Sequence, residues 1–236
     1  MKSTSSLILC LLLLPWSALA SENRGNELVA VKPFEPQNFL DEISYLPFER
    51  LTSGNCYLRA LFVKMELAAR YGIHSELVQL WSYSARVAPL DDGAQDLTIL
   101  KTDGTKVPFS FHIAARISLG SQKMIIDPSV LDGIQPEEVW LDRSNSEKIG
   151  WELEVMPEQR STRGEFRLSE DNLAKSCRRL YVDLGKNKQM DPKTIEARRA
   201  QLVERAQYFL LRMSESSAGS REMSEWMRQK CSQQLE

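Results

Sequence analysis

The stretch CYLRALFVKMELAAR, residues 56–70, is the most regular pattern in the chain and decides the fold of its central part. Its apolar side chains recur at spacings of three and four residues, which places them on one face of an amphipathic helix: Leu58, Leu61, Phe62, Met65 and Ala69. The glycine at position 72 is the residue type that ends helices in a left-handed cap. The pattern therefore predicts a helix from Cys56 to about Arg70 that stops at Gly72.

Strand patterns follow this helix. They cover residues 74–83, 97–101, 106–117 and 123–126. The second and third strands flank residues 102–105 (TDGT), a strong hairpin signal, and a turn at residues 119–122 (LGSQ) folds the fourth strand back on the third. We therefore expect an α+β fold in which a helix is followed by an antiparallel sheet.

The last third of the chain has helical patterns. Ser169 can cap a helix that carries Cys177, and Asp191-Pro192 is a typical helix start, with an N-cap residue followed by proline in the first turn. A last helix carries Cys231. Because both cysteines fall on apolar stripes, we expect them to form a disulfide in an oxidising compartment; two buried free thiols are the alternative.

The N-terminus has the pattern of a secretory signal peptide. Lys2 supplies a positive charge, residues 7–16 form an apolar run too short to span a bilayer, and residues 17–20 (SALA) fit a cleavage site. We therefore expect cleavage after Ala20 and export, either to a periplasm or out of the cell, with no membrane anchor on the mature chain.

Composition excludes several classes of function. The 236 residues include 30 Lys and Arg against 32 Asp and Glu, with basic residues interspersed among acidic ones, so no nucleic-acid-binding surface is indicated. The two histidines are far apart and lack a nearby set of carboxylates or thiols, and no glycine loop of the phosphate-binding type is present. We expect a monomer that uses no metal and no cofactor.

Cys56 is the candidate nucleophile. Three cysteines remain after removal of the signal peptide, and an odd number in an exported protein suggests one free thiol beside one disulfide. Cys56 opens the predicted helix, where the partial positive charge and the backbone N–H groups of a helix start lower a thiol pKa and can hold an oxyanion. The alternative is a small buried hydrophobe at a helix start.

His112 and Asp127 are the candidates for the general base and the acid that orients it. In the strand 106–117 the large apolar residues, Phe109 and Phe111 among them, share one face, whereas His112 lies on the other face with only small neighbours. The hairpin register puts position 112 opposite 127 or 129, so Asp127 faces His112 directly or diagonally. With Cys56 the two residues would form a triad. A histidine bonded to a backbone carbonyl and an aspartate that only makes a turn are the alternatives.

These residues lie in motifs that resemble those of the protein glutaminase (protein-glutamine deamidase) family. Residues 53–60 (SGNCYLRA) resemble its nucleophile motif, residues 110–114 (SFHIA) its histidine motif and residues 125–129 (IIDPS) its aspartate motif, in the family's order. Residues 136–140 also resemble a segment at a similar distance beyond the aspartate. The resemblance covers about residues 51–140, and the nucleophile motif departs from it at Asn55 and Leu61.

The resemblance implies a papain- or transglutaminase-like fold, in which the nucleophile helix packs on an antiparallel sheet, here with a helical C-terminal extension. It implies hydrolysis of glutamine side-chain amides in a protein or peptide to glutamate, with release of ammonia. Cys56 would be the nucleophile, His112 the general base and acid, and Asp127 the orienting acid. The alternatives are a transglutaminase-like acyl transferase, a cysteine peptidase on the same scaffold, and a catalytically silent binding or effector protein.

The chain is thus expected to have four parts: a signal peptide (1–20), a leader or linker (21–45), a catalytic domain (46–160) and a helical extension packed on that domain (161–236). Four residues are candidates for contact with the substrate. Trp81 and Tyr83 lie near a strand end, and Ser110 and Phe111 lie beside the candidate histidine. For Trp81 and Tyr83, packing in the core is the alternative.

Overall fold

The helix predicted at Cys56 is present, and the sheet and the C-terminal helices pack on it. The computed structural model of the chain describes residues 32–49, 55–82, 97–109, 111–144, 151–155, 169–213 and 220–233. The predicted signal peptide and the candidate residues Tyr83 and Ser110 lie outside these ranges. The described elements, in chain order, are α1 (Pro36–Glu42), α2 (Cys56–Tyr71), β1 (Glu76–Ser82), β2 (Leu97–Leu100), β3 (Lys106–Phe109), β4 (Phe111–Leu119), β5 (Gln122–Ile126), β6 (Ile134–Pro136), α3 (Glu137–Asp142), β7 (Trp151–Val155), α4 (Glu170–Gly185), α5 (Pro192–Met213) and α6 (Ser220–Ser232).

Helix α2 begins and ends where the sequence pattern predicts. It ends at Gly72, whose φ of 63° is the left-handed conformation that glycine adopts without a steric penalty. The N–H of Gly72 donates to the carbonyl of Ala68, and the N–H of Ile73 donates to that of Leu67. The local signal in the sequence therefore sets the C-terminal end of the helix.

The larger sheet is antiparallel, which confirms the α+β class with an antiparallel sheet and several helices. Among the described strands its order is β6-β5-β4-β1-β7. The central strand β4 pairs with β1 from Glu76↔Arg116 to Trp81↔Phe111. On its other side β4 pairs with β5, and the last matched pair is Ala115↔Ile126. The tight turn between β4 and β5 contains Gly120, with φ 62°.

The prediction of one continuous strand over residues 106–117 is wrong. Strand β3 pairs with β2 in a separate two-stranded sheet, whereas β4 pairs with β1 and β5. Side-chain alternation does not carry across this junction, so Phe109 does not share a face with Phe111 and Ile113 as expected. Phe109 instead belongs to the core on the opposite face of the sheet, and its ring lies beside that of His112.

Each face of the larger sheet carries a core. On one face, Ile113, Ala115 and Ile117 of β4 pack against α2, in the same buried cluster as residues of the C-terminal helices. On the other face, Ala114 packs in a smaller cluster with Val78, Leu80, Ile99, Phe109, Ile125, Val130, Leu131 and Trp140. The two sets of β4 residues alternate, as side chains do along a strand.

The C-terminal helices complete the first of these cores. Ser169 caps α4 by accepting a hydrogen bond from the N–H of Asn172, and Asp191 caps α5 by accepting one from the N–H of Thr194 at 2.9 Å. The disulfide predicted between Cys177 and Cys231 is present, with Cα atoms 5.3 Å apart, and it joins α4 to α6. Both cysteines lie in the same buried cluster as α2.

The described end of the segment predicted as a leader also belongs to this core. Phe39 of α1 and the following residues Ile43 and Tyr45 are fully buried in the cluster that contains α2. The ring of Phe39 meets that of Tyr71 edge to face, with centroids 5.7 Å apart. Residues 36–45 therefore pack against α2.

A buried carboxylate links α2 to α5. Glu66 is fully buried and accepts hydrogen bonds from Tyr45 at 2.8 Å, from Arg70 at 2.7 Å and from two nitrogens of Arg205 at 2.6 Å each. A buried charge is tolerated when it is paired and hydrogen-bonded in this way.

In the part of the chain that the structure describes, no helix has the length and apolar character needed to cross a bilayer.

Candidate active site

Cys56 is the first residue of α2 and is 2% exposed. The preceding residue, Asn55, takes the N-cap position, and its carbonyl accepts the first intrahelical bond, from the N–H of Arg59 at 3.1 Å. Asn side chains at this position usually accept a hydrogen bond from the first turn. The Asn55 side chain makes no such bond and instead donates to the carboxylate of Asp183 on α4.

His112 is the second residue of β4 and is fully buried. Its ring lies between those of Phe109 and Trp140, with centroid distances of 5.3 Å and 5.9 Å. The prediction that His112 has only small neighbours is therefore wrong, because β3 and α3 both bring an aromatic ring to it. This packing fixes the plane of the imidazole.

Asp127 follows the last residue of β5 and is 5% exposed. Its Oδ2 lies 2.6 Å from Nε2 of His112 and accepts a hydrogen bond from Nε1–H of Trp140 at 3.0 Å. Its Oδ1 accepts a hydrogen bond from the hydroxyl of Ser129. Three donors thus hold the carboxylate in one orientation, with one oxygen directed at the imidazole.

The thiol of Cys56 lies close enough to the same imidazole for the two groups to shift each other's pKa. Because Asp127 occupies Nε2, the ring nitrogen that remains for the sulfur is Nδ1. This atom is buried, and among the described residues it has no hydrogen-bond partner. The backbone of Ile113 also acts to lower the pKa of the thiol. The structure thus brings Cys56, His112 and Asp127 together at one buried site, in which His112 and Asp127 are hydrogen-bonded and the thiol lies beside the same ring.

The electrostatics favour the charged form of the Cys56–His112 pair. Burial alone would raise the pKa of the Cys56 thiol, but His112, together with the charge of Arg59, lowers the pKa below its ordinary value. Burial alone would lower the pKa of His112, but Asp127 and Cys56 raise the pKa to about 9. Both shifts favour the pair of thiolate and imidazolium over the neutral pair.

The pKa of Asp127 changes in the direction that this arrangement requires. Burial acts to raise the pKa of the carboxyl, but His112, Ser129 and Trp140 together lower the pKa. Asp127 is therefore ionised throughout the neutral range. It can hold the Nε2 proton of His112 and stabilise the imidazolium without taking the proton itself.

Two of the four candidate substrate-contact residues are described, and they lie together beside the site. Trp81 and Phe111 are paired across β1 and β4, and their ring centroids are 5.0 Å apart. Both side chains are partly exposed. Phe111 is adjacent in sequence to His112. Tyr83 and Ser110 lie outside the described residues.

Sequence reasoning gave no role to several residues of the site. Trp140 and Ser129 fell inside segments 136–140 and 125–129, which resemble the glutaminase family, but no pattern indicated that both donate to Asp127. Asp183 lies 128 positions after its partner Asn55, beyond the reach of any local pattern. Arg59 is 2% exposed, and its Nη1 donates to the carbonyl of Pro47 at 3.5 Å.

No group of three or more His, Cys, Asp or Glu side chains in the described residues is arranged to hold a metal ion. The groups gathered at the site are instead a thiol, an imidazole and a carboxylate, which together support nucleophilic attack and proton transfer.

The chain matches no model of a known protein family, no curated protein and no solved structure.

Proposed function

We propose that the protein is an exported protein-glutamine deamidase, which hydrolyses the side-chain amide of protein-bound glutamine to glutamate and ammonia. The observation that carries the proposal is the buried site that joins Cys56, His112 and Asp127, in which Asp127 is hydrogen-bonded to His112 and the thiol lies beside the imidazole at the first residue of a helix. A thiol, a base and an orienting acid in this order are the groups that acyl transfer through a cysteine requires.

In the first half of the proposed reaction, the Cys56 thiolate attacks the side-chain carbonyl carbon of glutamine. The negative charge that develops on the oxygen would be stabilised by backbone N–H groups at the start of α2. His112, already protonated, gives its proton to the amide nitrogen, the C–N bond breaks and ammonia leaves. A thioester between Cys56 and the glutamyl side chain remains.

In the second half, His112 acts as a general base. It takes a proton from water, whose oxygen attacks the thioester carbon, and the C–S bond breaks to release glutamate. The departing sulfur remains as the thiolate beside the newly protonated His112, so the resting ion pair is restored. Asp127 stays ionised throughout and holds the imidazole orientation.

The glutamine specificity in this proposal comes from the resemblance of residues 53–60, 110–114 and 125–129 to the motifs of protein glutaminases. A papain- or transglutaminase-like arrangement is part of the same proposal. It is supported by α2, which starts at the candidate nucleophile, packing on the antiparallel sheet that carries His112. The disulfide between Cys177 and Cys231 supports export to an oxidising compartment.

The test is incubation of the purified protein with a glutamine-rich unfolded protein, such as casein. Deamidation releases ammonia and increases the intact mass of the substrate by about 1 Da per site, which is the replacement of an amide by an acid through Cys56 chemistry. The Cys56→Ala and His112→Gln variants should abolish both signals. His74→Gln is the matched control, since His74 is the other histidine of the chain and is exposed.

Other outcomes overturn the proposal in distinct ways. Cleavage of the substrate backbone without ammonia release would identify a cysteine peptidase. Incorporation of a primary amine in preference to water would identify an acyl transferase. Identical behaviour of the unaltered protein and Cys56→Ala in all three assays would exclude turnover by this site and leave a binding or effector role.

A further inference from the structure

The start of α2 is held by a residue from the other end of the chain. Asp183 of α4 is 5% exposed and accepts a hydrogen bond from the side-chain amide of Asn55, the residue immediately before Cys56. The two residues are 128 positions apart in sequence. Asn55 is therefore fixed to the C-terminal extension at the position that sets where the nucleophile helix begins.

The Asn55 side chain makes this contact in place of the usual hydrogen bond to the first turn of the helix. Asparagine at an N-cap normally turns its side chain onto the N–H groups of the first turn, which stabilises a helix. The Asn55 side chain does not cap α2, because it is directed to Asp183. The first turn, which carries the thiol and would face the developing oxyanion, is thus positioned by a tertiary contact rather than by its own cap.

The charges around Arg59 also connect Asp183 with Cys56. Arg59, one turn into α2, is buried, and its guanidinium interacts with the charges of Cys56, Asp127 and Asp183. A buried cation requires nearby anions to offset the cost of desolvation. Asp183 supplies one of these anions from α4, so the same carboxylate holds the residue before the nucleophile and helps to retain the cation beside it.

A second contact from the C-terminal helices holds the segment of chain that precedes Cys56. Arg198 of α5 donates to the backbone carbonyl of Leu46 and bonds the carboxylate of Glu49. Asp183 and Arg198 therefore hold the chain at residues 46–49 and again at residue 55. The disulfide at Cys177, on the same helix as Asp183, ties α4 to α6.

We infer that Asp183 is a positioning residue for the Cys56 nucleophile, acting through Asn55, and that the C-terminal helices are for this reason part of the catalytic machinery. The inference rests on the proposed role of Cys56 as the nucleophile. Asp183 does not touch the reacting atoms in this arrangement. It keeps the first turn of α2 in line with His112.

The test compares Asp183→Ala, which removes the hydrogen bond and the charge, with D183N, which keeps an acceptor oxygen and removes only the charge. The primary readout is the rate at which iodoacetamide alkylates Cys56, followed by mass spectrometry of the Cys56 peptide over a range of pH. This readout needs no protein substrate. It therefore remains informative if no deamidation is found, and it separates failure of this inference from failure of the proposed function.

Asp183→Ala should move the pH midpoint of alkylation upward and slow alkylation at neutral pH about tenfold, which corresponds to one pKa unit. D183N should lie between the unaltered protein and Asp183→Ala, because it keeps the acceptor for Asn55 but loses the charge that acts on Arg59. Asn55→Ala should match Asp183→Ala, and the double variant should be no worse than either single variant, because both changes break one contact. With a deamidation substrate, kcat should fall while KM is unchanged.

Ser176→Ala is the matched control, because Ser176 is equally buried on α4 and its hydroxyl bonds within that helix, to the carbonyl of Asn172. A shift in Ser176→Ala as large as in Asp183→Ala would mean a general effect of disturbing α4 and would overturn the inference. Faster alkylation in both Asp183 variants would also overturn it, since that result means the carboxylate acts only as a repulsive charge. If Asp183→Ala does not fold, Asn55→Ala and D183N decide the question.

Discussion

Nε2 of His112 lies 2.6 Å from Oδ2 of Asp127, although the two residues are not directly opposite each other in the sheet. The register of β4 and β5 ends at Ala115↔Ile126, and continuing it by one step places Asp127 opposite Ala114. The contact is therefore diagonal, across neighbouring strands and on one face. A one-residue slip of this hairpin would turn Asp127 to the other face and separate it from the imidazole.

Replacement of Asp127 by Asn should reduce kcat by about 10⁴, because the imidazole would lose its orienting acid and adopt the wrong tautomer. Ser129→Ala removes one donor to the same carboxylate and leaves the donors from His112 and Trp140. We expect only about a tenfold loss in that variant, which is the scale of one hydrogen bond to a charged group. Steady-state kinetics measure both effects, and equal losses would contradict the role assigned to Asp127.

Trp140→Phe should lower kcat by about tenfold or more. It keeps an aromatic ring against His112 but removes the indole N–H that donates to Asp127, a hydrogen bond to a charged group of about 1.5–3 kcal/mol. Trp81→Phe is the comparison, because Trp81 lies against Phe111 rather than in the triad. It should change KM more than kcat. The reverse pattern in the two variants would show that the aromatic roles are assigned incorrectly.

The activity should depend on pH as a bell-shaped curve. On the acid side it should rise as Cys56 ionises, below the ordinary range of a thiol because His112 and Arg59 lower the pKa of Cys56 against the effect of burial. On the alkaline side it should fall as His112 loses its proton, with a pKa of about 9. Measurement of kcat/KM between pH 5 and about 10 checks both limbs. An alkaline limb near the ordinary histidine pKa of about 6.5 would contradict the ion pair.

The free energy of unfolding should also depend on pH through His112. The folded-state pKa of His112, about 9, lies above the ordinary histidine value of 6.5. Its contribution to the free energy of unfolding is thus complete below pH 6.5 and is lost as pH rises through 9. Urea denaturation of the unaltered protein and of His112→Gln at several pH values should show this loss only in the former. His74→Gln should behave like the unaltered protein.

Removal of the disulfide by replacing Cys177 and Cys231 with Ala should reduce the free energy of unfolding by about 4 kcal/mol in the chain-entropy model. The reason is that the bond closes a loop of 54 residues in the unfolded chain. Urea titration measures the change. Cys56→Ala, which alters a buried cysteine outside the disulfide, is the comparison and should cost less.

Glu66→Gln should be more destabilising than Glu42→Gln. Loss of the buried Glu66 charge removes the carboxylate that Arg205 binds through two nitrogens, and breaking a buried pair in this way costs about 3–5 kcal/mol. Arg70 retains its ion pair with Glu42 at 3.7 Å. Glu42 also bonds a tyrosine and a lysine, but its side chain is 20% exposed, so solvent replaces much of the interaction. Thermal denaturation of the two variants under identical conditions tests the difference.

The parts of the fold that were predictable are those encoded by neighbouring residues. Helix α2 and its Gly72 cap, the β4–β5 hairpin with Gly120 and the Asp191 cap of α5 each depend on a few adjacent positions. The same holds for the meeting of His112 and Asp127, since one tight turn sets their register. Local propensity and local turn geometry were sufficient for these features.

The features that could not be predicted come from contacts between distant segments. Residues 106–117 alternate regularly, yet the chain divides between two sheets because β3 has its partner in β2 and β4 has its partners in β1 and β5. Trp140 and Asp183 reach the site from helices whose packing no local pattern specifies. The sequence therefore predicted the three central groups of the site and left out the residues that hold them.

The buried cluster around α2 contains side chains from α1, near the start of the described chain, and Met227 and Cys231 of α6, near its end. A chain that is synthesised or translocated from its N-terminus consequently carries the thiol of Cys56 long before the residues that cover its helix have emerged. Until then, α2 exposes apolar surface that is prone to aggregation. Burial of α2 is thus completed late in synthesis, and truncation of the last helix, α6, would expose apolar side chains of the cluster in which α2 lies.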